Sequence, residues 1–255
     1  MGLAEAGFDI LKAMQKSATR FILAALALVP CGCKTDQGSK ASSQLGESGG
    51  HVAGMKAPSP SADATPSAEK ADLRPIVVCF GDSLTAGYGA EEGKSYPDYL
   101  QSKLDGDGYR YRVVNEGVSG NTTKDGLDRL SDITQMKAEL VVVEFGGNDG
   151  LRGLKVETTH GNLGRVIKTL KDSGEQVVLA GITLPPDYGR DYISRFTAIY
   201  PQLARQYKVP LLPFVLKDVY GVPGLMQADR THATAKGNEV VARNVGALIE
   251  PLLKK

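Results

Sequence analysis

Short apolar runs alternate with amphipathic stretches along the chain from Leu73 to the C-terminus. Runs of Val, Ile and Leu that are bounded by polar or turn-forming residues predict β-strands. The five runs are "IVVCF", "YRVVN", "ELVVVEF", "QVVLAGI" and "VPLLPF". The amphipathic stretches predict helices near residues 96–104, 123–136, 162–171, 192–207 and 235–253. Strands that are apolar throughout are buried on both faces, so the alternation predicts an α/β domain with a parallel sheet between helical layers.

Two segments of different composition precede this domain. Residues 1–33 contain the apolar run "FILAALALVPCGC", which is too short to span a bilayer but has the length of a signal-peptide core. Translation from Met14 would place the basic stretch "MQKSATR" directly before it, so we expect the start there. Residues 34–72 are rich in Ser, Ala, Gly and Pro and predict a disordered linker, because they bury too little apolar surface to offset the entropy of ordering. The folded domain is therefore expected over residues 73–255.

Two cysteines close the apolar run of the N-terminal segment. Cys31 and Cys33 resemble the cysteine of a bacterial lipobox, which becomes the acylated N-terminus of a lipoprotein. Gly32 fits that motif before Cys33, whereas Pro30 does not fit it before Cys31. Which cysteine is lipidated stays open. We expect an exported protein, periplasmic or tethered to a membrane as a lipoprotein, with ordinary secretion as the alternative.

Composition narrows the classes of partner and cofactor. The chain has 255 residues, 42% of them hydrophobic, which is enough for a sizeable core. Its 30 basic and 29 acidic side chains leave a formal charge of +1, and nothing in that balance favours a nucleic-acid partner. The three cysteines form no cluster with histidine at metal-ligand spacing, so we expect neither zinc nor an iron–sulfur centre.

Polar, glycine-rich peptides follow the predicted strands. They are "GDS" after the first strand, "EGVSGNTT" after the second, "GGNDGLRG" after the third and "DRTHATAKG" before the last helix. Parallel strands end at the same edge of a sheet and ligands bind outside that edge, so these peptides are expected to form one site. Turn-forming residues alone would be spread over both edges.

Ser83, Asp229 and His232 supply the groups that acyl transfer needs. A serine hydroxyl is a weak nucleophile at neutral pH and requires a base. His232 lies three residues after Asp229, a separation at which one turn lets the carboxylate accept the Nδ1 proton and leaves Nε2 for Ser83. His160 has no suitably placed acidic residue, so we expect it at the surface.

Gly120 and Asn148 are candidates for stabilising the oxyanion. With a strand order of 2-1-3-4-5, the loops after the second and third strands lie on either side of Ser83. Gly120 lets its N–H approach a substrate without a Cβ, and Asn148 supplies side-chain N–H donors. The Ser83 N–H would be the third donor. The residue two beyond Ser83 is Thr85, not glycine, which disfavours the G-x-S-x-G hydrolases.

The four peptides, in the longer forms "FGDSLTAGYG", "VVNEGVSGNTT", "VEFGGNDGLRG" and "DRTHATAKG", resemble those of the SGNH (GDSL) hydrolases. Within that family the chain is most similar to the bacterial arylesterase, thioesterase and lysophospholipase branch, over residues 76–253. The resemblance implies a flavodoxin-like three-layer α/β/α sandwich with a five-stranded parallel sheet. It also implies a small-molecule ester substrate and no metal or organic cofactor.

The resemblance also implies a role for each residue that matches a family motif. It makes Ser83 the nucleophile, His232 the base and Asp229 the acid that orients the base. Gly120 and Asn148 then share the oxyanion hole with the amide of Ser83.

Other positions in or near the motifs have less direct roles. Gly117 is an alternative to Gly120 as an oxyanion donor. The loop 184–188 and the segment after Asn148 are expected to flank the acyl pocket. Leu84, Leu151 and Pro185 are expected to line it, with ordinary packing as the alternative. Asp82 and Asp149 are expected to fix loops and not to react.

The block around His232 departs from the family pattern. The family usually has Asp-Gly-Ile/Val-His-Pro, whereas this chain has Arg230, Thr231 and Ala233 in place of Gly, the aliphatic residue and Pro. The acid and the base are retained, so we expect the chemistry to be retained, in a weakened or altered form. We also expect a stiffer backbone here and an Arg230 side chain that favours an anionic group nearby.

Three functions stay open at this point. The first is a serine esterase that acts through an acyl-enzyme on aryl and short-to-medium acyl esters, with thioesters and lysophospholipids as related substrates. The second is a carbohydrate O-deacetylase of the same superfamily, which export would bring near envelope polysaccharides. The third is a tethered lipid- or glycan-binding protein whose site has decayed, as the altered block around His232 allows.

Overall fold

The computed structural model describes residues 72–255, and a five-stranded sheet lies at their centre. All neighbouring strands run parallel, in the order β2-β1-β3-β4-β5. The strands are β1 (Ile76–Gly81), β2 (Arg112–Gly117), β3 (Leu140–Glu144), β4 (Gln176–Ala180) and β5 (Leu211–Leu212). The central β1 and β3 are almost entirely buried, as their apolar sequences require. The predicted α/β class with a parallel sheet is confirmed.

Helices cover both faces of this sheet. The α-helices are α1 (Ser83–Ala86), α2 (Tyr96–Gly106), α3 (Thr123–Asp128), α4 (Leu130–Gln135), α5 (Gly147–Leu151), α6 (Val156–Asp172), α7 (Arg190–Thr197), α8 (Ile199–Tyr207) and α9 (Ala235–Ile249). Short 3₁₀ helices lie at Pro186–Tyr188 and Glu250–Leu252. α2 packs against α9, whereas α6 packs against α3 and α8, so the helices form two groups. Crossovers between parallel strands are almost always right-handed, and this rule places the two groups on opposite faces, as in the predicted three-layer sandwich.

Several predicted helices differ in extent from those in the structure. The prediction of one helix over 123–136 is wrong, because Arg129 leaves helical geometry (φ −106°, ψ 12°) between α3 and α4. The stretch 192–207 is also divided, into α7 and α8, which meet at Ala198. The helix predicted over 162–171 begins earlier, at Val156, because the buried side chains of Val156 and Thr159 anchor its first turns.

Prolines limit the last strand and the last helix. β5 is shorter than the predicted run "VPLLPF", since Pro210 and Pro213 flank it and a proline cannot donate a ladder hydrogen bond. The predicted helix 235–253 ends as an α-helix at Ile249 and continues as a 3₁₀ turn that contains Pro251. The side-chain hydroxyl of Thr234 caps the start of this helix by accepting a hydrogen bond from the Gly237 N–H.

Arg129 joins the ends of the two strands that lead into the candidate site. Its Nη2 donates to the carbonyl oxygens of Gly81, at 2.9 Å, and of Glu116, at 2.8 Å. Its guanidinium lies 4.6 Å from the centre of the Phe80 ring, a position in which a cation is attracted to the aromatic face. The carboxyl ends of β1 and β2 are therefore held together from one side.

The predicted export segment, the start at Met14 and the linker lie outside the described residues, apart from Asp72. Within residues 72–255 no helix combines the length and the apolar composition that a membrane crossing requires.

Candidate active site

Ser83 lies at the carboxyl edge of the sheet, where β1 leads into α1. Asp82 caps this helix, since its Oδ1 accepts a hydrogen bond from the Leu84 N–H at 3.1 Å. Gly117, at the end of β2, lets the backbone of α1 come close, because a Cβ on this glycine would lie 2.1 Å from the Ala86 nitrogen. A short helix, capped at its start and packed against a neighbouring strand, therefore presents Ser83.

His232 and Asp229 lie beside Ser83, although 149 positions separate the histidine from the serine. His232 Nε2 is 2.8 Å from Ser83 Oγ, and His232 Nδ1 is 2.7 Å from Asp229 Oδ2. Asp229 Oδ1 also accepts hydrogen bonds from the backbone N–H groups of Thr231 and His232. The Tyr88 ring covers the imidazole, with 4.7 Å between the ring centres. In this arrangement an imidazole can remove the proton of a serine hydroxyl.

The charge of Asp229 determines which imidazole nitrogen faces Ser83. Burial acts to raise the pKa of this carboxyl, but hydrogen bonds from the His232 side chain and from two backbone N–H groups outweigh burial and lower the pKa. The ionised carboxylate accepts a hydrogen bond from Nδ1, which therefore carries the proton. Nε2 is then free to accept the hydrogen bond of the Ser83 hydroxyl.

Donors for an oxyanion surround the space next to Ser83. Among residues 72–255, neither the Ser83 N–H nor the Gly120 N–H donates to a protein acceptor, and both residues line one cavity. Gly120 has a φ of +84°, which a glycine adopts without strain. Asn148 lines the same cavity, but its Nδ2 donates to Asp82 Oδ2 at 3.2 Å and to the Asn121 carbonyl at 3.0 Å. Asn148 would therefore reach an oxyanion by sharing one of these hydrogens.

A cavity of about 490 Å³ opens beside Ser83 and His232. The three residues that were expected at an acyl pocket, Leu84, Leu151 and Pro185, all line it. Leu184, in the loop 184–188 that was expected to flank the pocket, lines it as well. The sequence did not indicate the rest of the apolar wall, which consists of Ile182, Phe214, Leu216 and Tyr220. These four residues follow β4 and β5 in irregular segments, where no periodic pattern marks the side that faces a cavity. The cavity is apolar with a few polar groups at one end, as small-molecule sites commonly are.

The sequence matches the family model described as GDSL-like Lipase/Acylhydrolase over residues 79–240. That range includes all the residues proposed above for nucleophile, base, acid and oxyanion donors. The chain belongs to this family. The resemblance to the SGNH (GDSL) hydrolases is thereby confirmed.

Relatives of this SGNH hydrolase have the names of esterases and thioesterases. Esterase TesA of Pseudomonas aeruginosa is 41% identical over 178 residues, which cover 69% of this chain and 89% of that protein. Thioesterase 1/protease 1/lysophospholipase L1 of Escherichia coli K12 is 37% identical over 178 residues, covering 69% and 84%. A crystal structure of TesA has a TM-score of 0.67 at 40% identity and covers 70% of this chain and 99% of the solved one. The predicted fold and the class of ester hydrolase are therefore confirmed.

Several other predicted positions of the SGNH hydrolase do not take part in the cavity. Asp149 accepts hydrogen bonds from the Thr123 N–H at 2.9 Å, from the Thr123 hydroxyl and from the Thr159 hydroxyl at 3.2 Å, and so joins α5 to α3 and α6. Gly117 packs against α1, as described above, and is not among the lining residues. His160 lies within α6, also away from the cavity.

Two further residues, next to the catalytic groups of the hydrolase, were also not found from the sequence. Tyr88 covers the imidazole of His232, but it belongs to a glycine-rich turn in which a tyrosine has no distinctive pattern. Glu144 lies completely buried at the end of β3. The signal that could have revealed Glu144 is its position directly after a run of valines in a buried strand. Charged side chains are almost never fully buried without a partner, so this position indicates that Glu144 has one.

Arg230 lies between the acid and the base in a conformation that side chains rarely adopt. Its φ is +56°, and its N–H donates to the Gln227 carbonyl at 3.0 Å. The Gln227 N–H in turn donates to the His232 carbonyl at 2.8 Å, so the turn closes through its backbone. The Arg230 side chain is exposed and lines the cavity. The backbone thus accommodates a non-glycine residue and still brings Asp229 to His232.

Arg230→Gly is expected to stabilise the folded domain by about 0.5–1 kcal/mol, because glycine adopts a positive φ without the steric cost of a Cβ. The measurement is the midpoint of urea unfolding. Arg230→Ala is the control, since it removes the same guanidinium but keeps the strained backbone. A glycine variant no more stable than the alanine variant would show that this turn stores no strain.

Proposed function

We propose that this SGNH hydrolase is a serine esterase that acts on aryl and short-to-medium acyl esters, with thioesters and lysophospholipids as related substrates. One observation carries the proposal. The Ser83 hydroxyl is 2.8 Å from Nε2 of His232, and Nδ1 of the same imidazole is 2.7 Å from Asp229 Oδ2. An apolar cavity adjoins that hydroxyl, and the N–H groups of Ser83 and Gly120, which donate to no acceptor within residues 72–255, belong to cavity-lining residues. A nucleophile, its base, an orienting acid and oxyanion donors are the requirements of acyl transfer.

In the first half of the reaction, Ser83 Oγ attacks the ester carbonyl carbon and its proton moves to His232 Nε2. The carbonyl oxygen becomes an oxyanion, which the N–H groups of Ser83 and Gly120 stabilise together with the Asn148 amide. Asp229 stabilises the imidazolium that forms. The bond to the leaving group then breaks, and His232 returns the proton to the departing oxygen, or sulfur in a thioester. The acyl group stays on Ser83.

In the second half, a water molecule attacks the acyl-enzyme while His232 Nε2 removes a proton from it. The same donors stabilise the second oxyanion. When this intermediate collapses, the bond to Ser83 Oγ breaks, His232 protonates Oγ and the carboxylic acid leaves. The site is then restored without any change of oxidation state.

The size and polarity of the cavity support the proposed substrate class. About 490 Å³ with a mostly aliphatic and aromatic lining accommodates an acyl chain or an aryl ring beside the polar end at Ser83. The relatives named esterase, thioesterase and lysophospholipase agree with substrates of this kind. The buried apolar wall offers few partners for the hydroxyl groups of a sugar, so the carbohydrate deacetylase alternative has less support.

A fluorophosphonate probe tests the proposed nucleophile directly. An activated hydroxyl forms a bond to phosphorus and displaces fluoride, whereas an ordinary serine does not react. We expect one label per chain, on the peptide that contains Ser83, and much slower labelling of His232→Ala. The label is located by mass spectrometry after digestion.

Two results of this experiment would contradict the proposal. Label on Ser119, which also lines the cavity, would assign the nucleophile to a different loop. An unlabelled but folded protein would support the alternative of a binding protein with a decayed site.

A further inference from the structure

A buried carboxyl group, that of Glu144, lies next to the turn that carries the proposed nucleophile. Glu144 is the last residue of β3 and is 0% exposed. The register of the sheet places Gly81 of β1 opposite Glu144 of β3, and Asp82 directly follows Gly81. The carboxyl groups of Asp82 and Glu144 are close enough for each to shift the pKa of the other, and Asp82 is itself only 2% exposed.

Two ionised carboxylates buried side by side would repel each other, so this pair is expected to hold one proton. Burial raises the pKa of Glu144 well above its ordinary value, and the neighbouring Asp82 raises it further. Burial also raises the pKa of Asp82, to about 6, although hydrogen bonds from Leu84 and Asn148 oppose this rise. At neutral pH the proton therefore resides on Glu144 and the negative charge on Asp82.

The partners of Glu144 agree with a protonated side chain. Oε2 accepts a hydrogen bond from the Thr85 hydroxyl at 2.9 Å. Oε1 is buried and has no donor among the described residues. An unpaired buried oxygen is costly, but a proton on Oε1 turns it into a donor for Asp82.

Asp82 connects this pair to the oxyanion site. Its Oδ2 accepts a hydrogen bond from Asn148 Nδ2 at 3.2 Å, and its Oδ1 accepts one from the Leu84 N–H at 3.1 Å. The first contact orients the side-chain amide of Asn148, and the second fixes the first turn of the helix that begins at Ser83.

We infer that Glu144 is a positioning residue: as a neutral acid it donates to Asp82 and so holds the carboxylate that orients Asn148 beside Ser83. The inference rests on the proposed function, because the orientation of Asn148 affects turnover only if Asn148 faces an oxyanion. Glu144 itself touches neither the hydroxyl nor the cavity.

Two substitutions of Glu144 separate the role of the proton from that of the charge. Glu144→Gln keeps a donor for Asp82 and an acceptor for Thr85, so we expect kcat for a p-nitrophenyl ester to fall by less than about 3-fold. Glu144→Leu removes the donor and leaves Asp82 buried without its partner. We expect its kcat to fall at least 10-fold with KM nearly unchanged, because an oxyanion interaction acts in the transition state only.

A double-mutant cycle with Asn148→Ala tests the route through Asn148. If Glu144 acts through this amide, Glu144→Leu should lower kcat by no more than about 2-fold once Asn148 has been replaced. If the two substitutions instead lowered kcat by independent factors that multiply in the double variant, the inference would be wrong. So would a Glu144→Gln variant that loses as much activity as Glu144→Leu, since an ionised Glu144 would then be required.

Failure of this inference can be distinguished from failure of the proposed function. Activity that persists in Ser83→Ala would refute the proposed function. Activity that depends on Ser83 and Asn148 but not on Glu144 would refute the inference alone. Glu175→Leu is the matched control, because Glu175 is another buried carboxyl whose pKa burial raises, and it precedes β4 at the opposite edge of the sheet. It should alter stability and leave kcat as it was.

The pH dependence of unfolding provides a second measurement if Glu144→Leu does not fold. The folded state holds the Glu144 proton more tightly than the unfolded chain, so stability should fall as pH rises above the ordinary glutamate pKa. Asp82 also acts on this carboxyl, and Glu144 in turn acts on Tyr96 and Tyr200, whose pKa burial raises so that both stay protonated in that range. Glu144→Gln should lessen the fall between pH 5 and 8. An unchanged slope would overturn the inference.

Discussion

Replacing Ser83 by alanine is expected to lower kcat for a p-nitrophenyl ester by about 10³- to 10⁶-fold, because the variant has no atom that can carry the acyl group. The residual rate would come from the oxyanion donors and from binding, which are still present. Nitrophenolate release at saturating substrate measures kcat, and thermal unfolding verifies that the fold is unchanged. The alanine fits, since the Ser83 side chain projects from the first turn of a capped helix.

Non-additivity provides the internal control for this prediction. Ser83 and His232 act on the reaction as one unit, so the base has nothing left to activate once the serine is gone. The double variant Ser83→Ala/His232→Ala should therefore have about the same kcat as Ser83→Ala alone. A substrate with a short acyl chain should bind to the variant about as well as to the parent, because the apolar wall is untouched. Near-normal turnover in Ser83→Ala would refute the assignment of this serine as the nucleophile.

Replacing Gly117 by alanine is expected to destabilise the domain by about 3 kcal/mol and to reduce activity as well, although Gly117 lies outside the cavity. A Cβ at this position would lie 2.1 Å from the nitrogen and 2.6 Å from the Cα of Ala86. Both are backbone atoms, so no side chain can move aside. The first helix would have to shift away from β2 and would carry Ser83 with it. Urea unfolding and kcat/KM measure the two effects.

Gly161→Ala is the matched control for this substitution. Gly161 lies within α6, and a Cβ there meets no atom within 4 Å. In the interior of a helix alanine is favoured over glycine by about 0.5–1 kcal/mol, so this variant should be slightly more stable than the parent. If Gly117→Ala and Gly161→Ala changed stability and activity equally, the close approach of α1 to Gly117 would not be the cause of the predicted loss.

The sheet and the residues near Ser83 were predictable because their signals are local. Runs of valine and leucine identify buried parallel strands, and the polar peptides that follow them must lie at one edge. The structure brings Ser83, Gly120, Asn148, Asp229 and His232 together as that argument required. The break at Arg129 was not predictable, since it depends on contacts with Gly81 and Glu116, which are distant in the chain.

The far wall of the cavity and the pairing of Glu144 with Asp82 could not be predicted for a related reason. Phe214, Leu216 and Tyr220 lie in a segment without regular structure, so neither period 2 nor period 3.6 indicates which side chains face the cavity. The carboxyl of Glu144 meets Asp82 only because of the register between β1 and β3. A single sequence contains the two residues but not the register.

The separation of 149 positions between the hydroxyl and the imidazole has a consequence for biosynthesis. All five strands are complete by Leu212, whereas Asp229 and His232 come later. A nascent chain can therefore form its whole sheet and remain inactive until the segment that carries Asp229 and His232 has emerged and docked. The appearance of activity would report that Asp229 and His232 have reached Ser83, not that the core has formed.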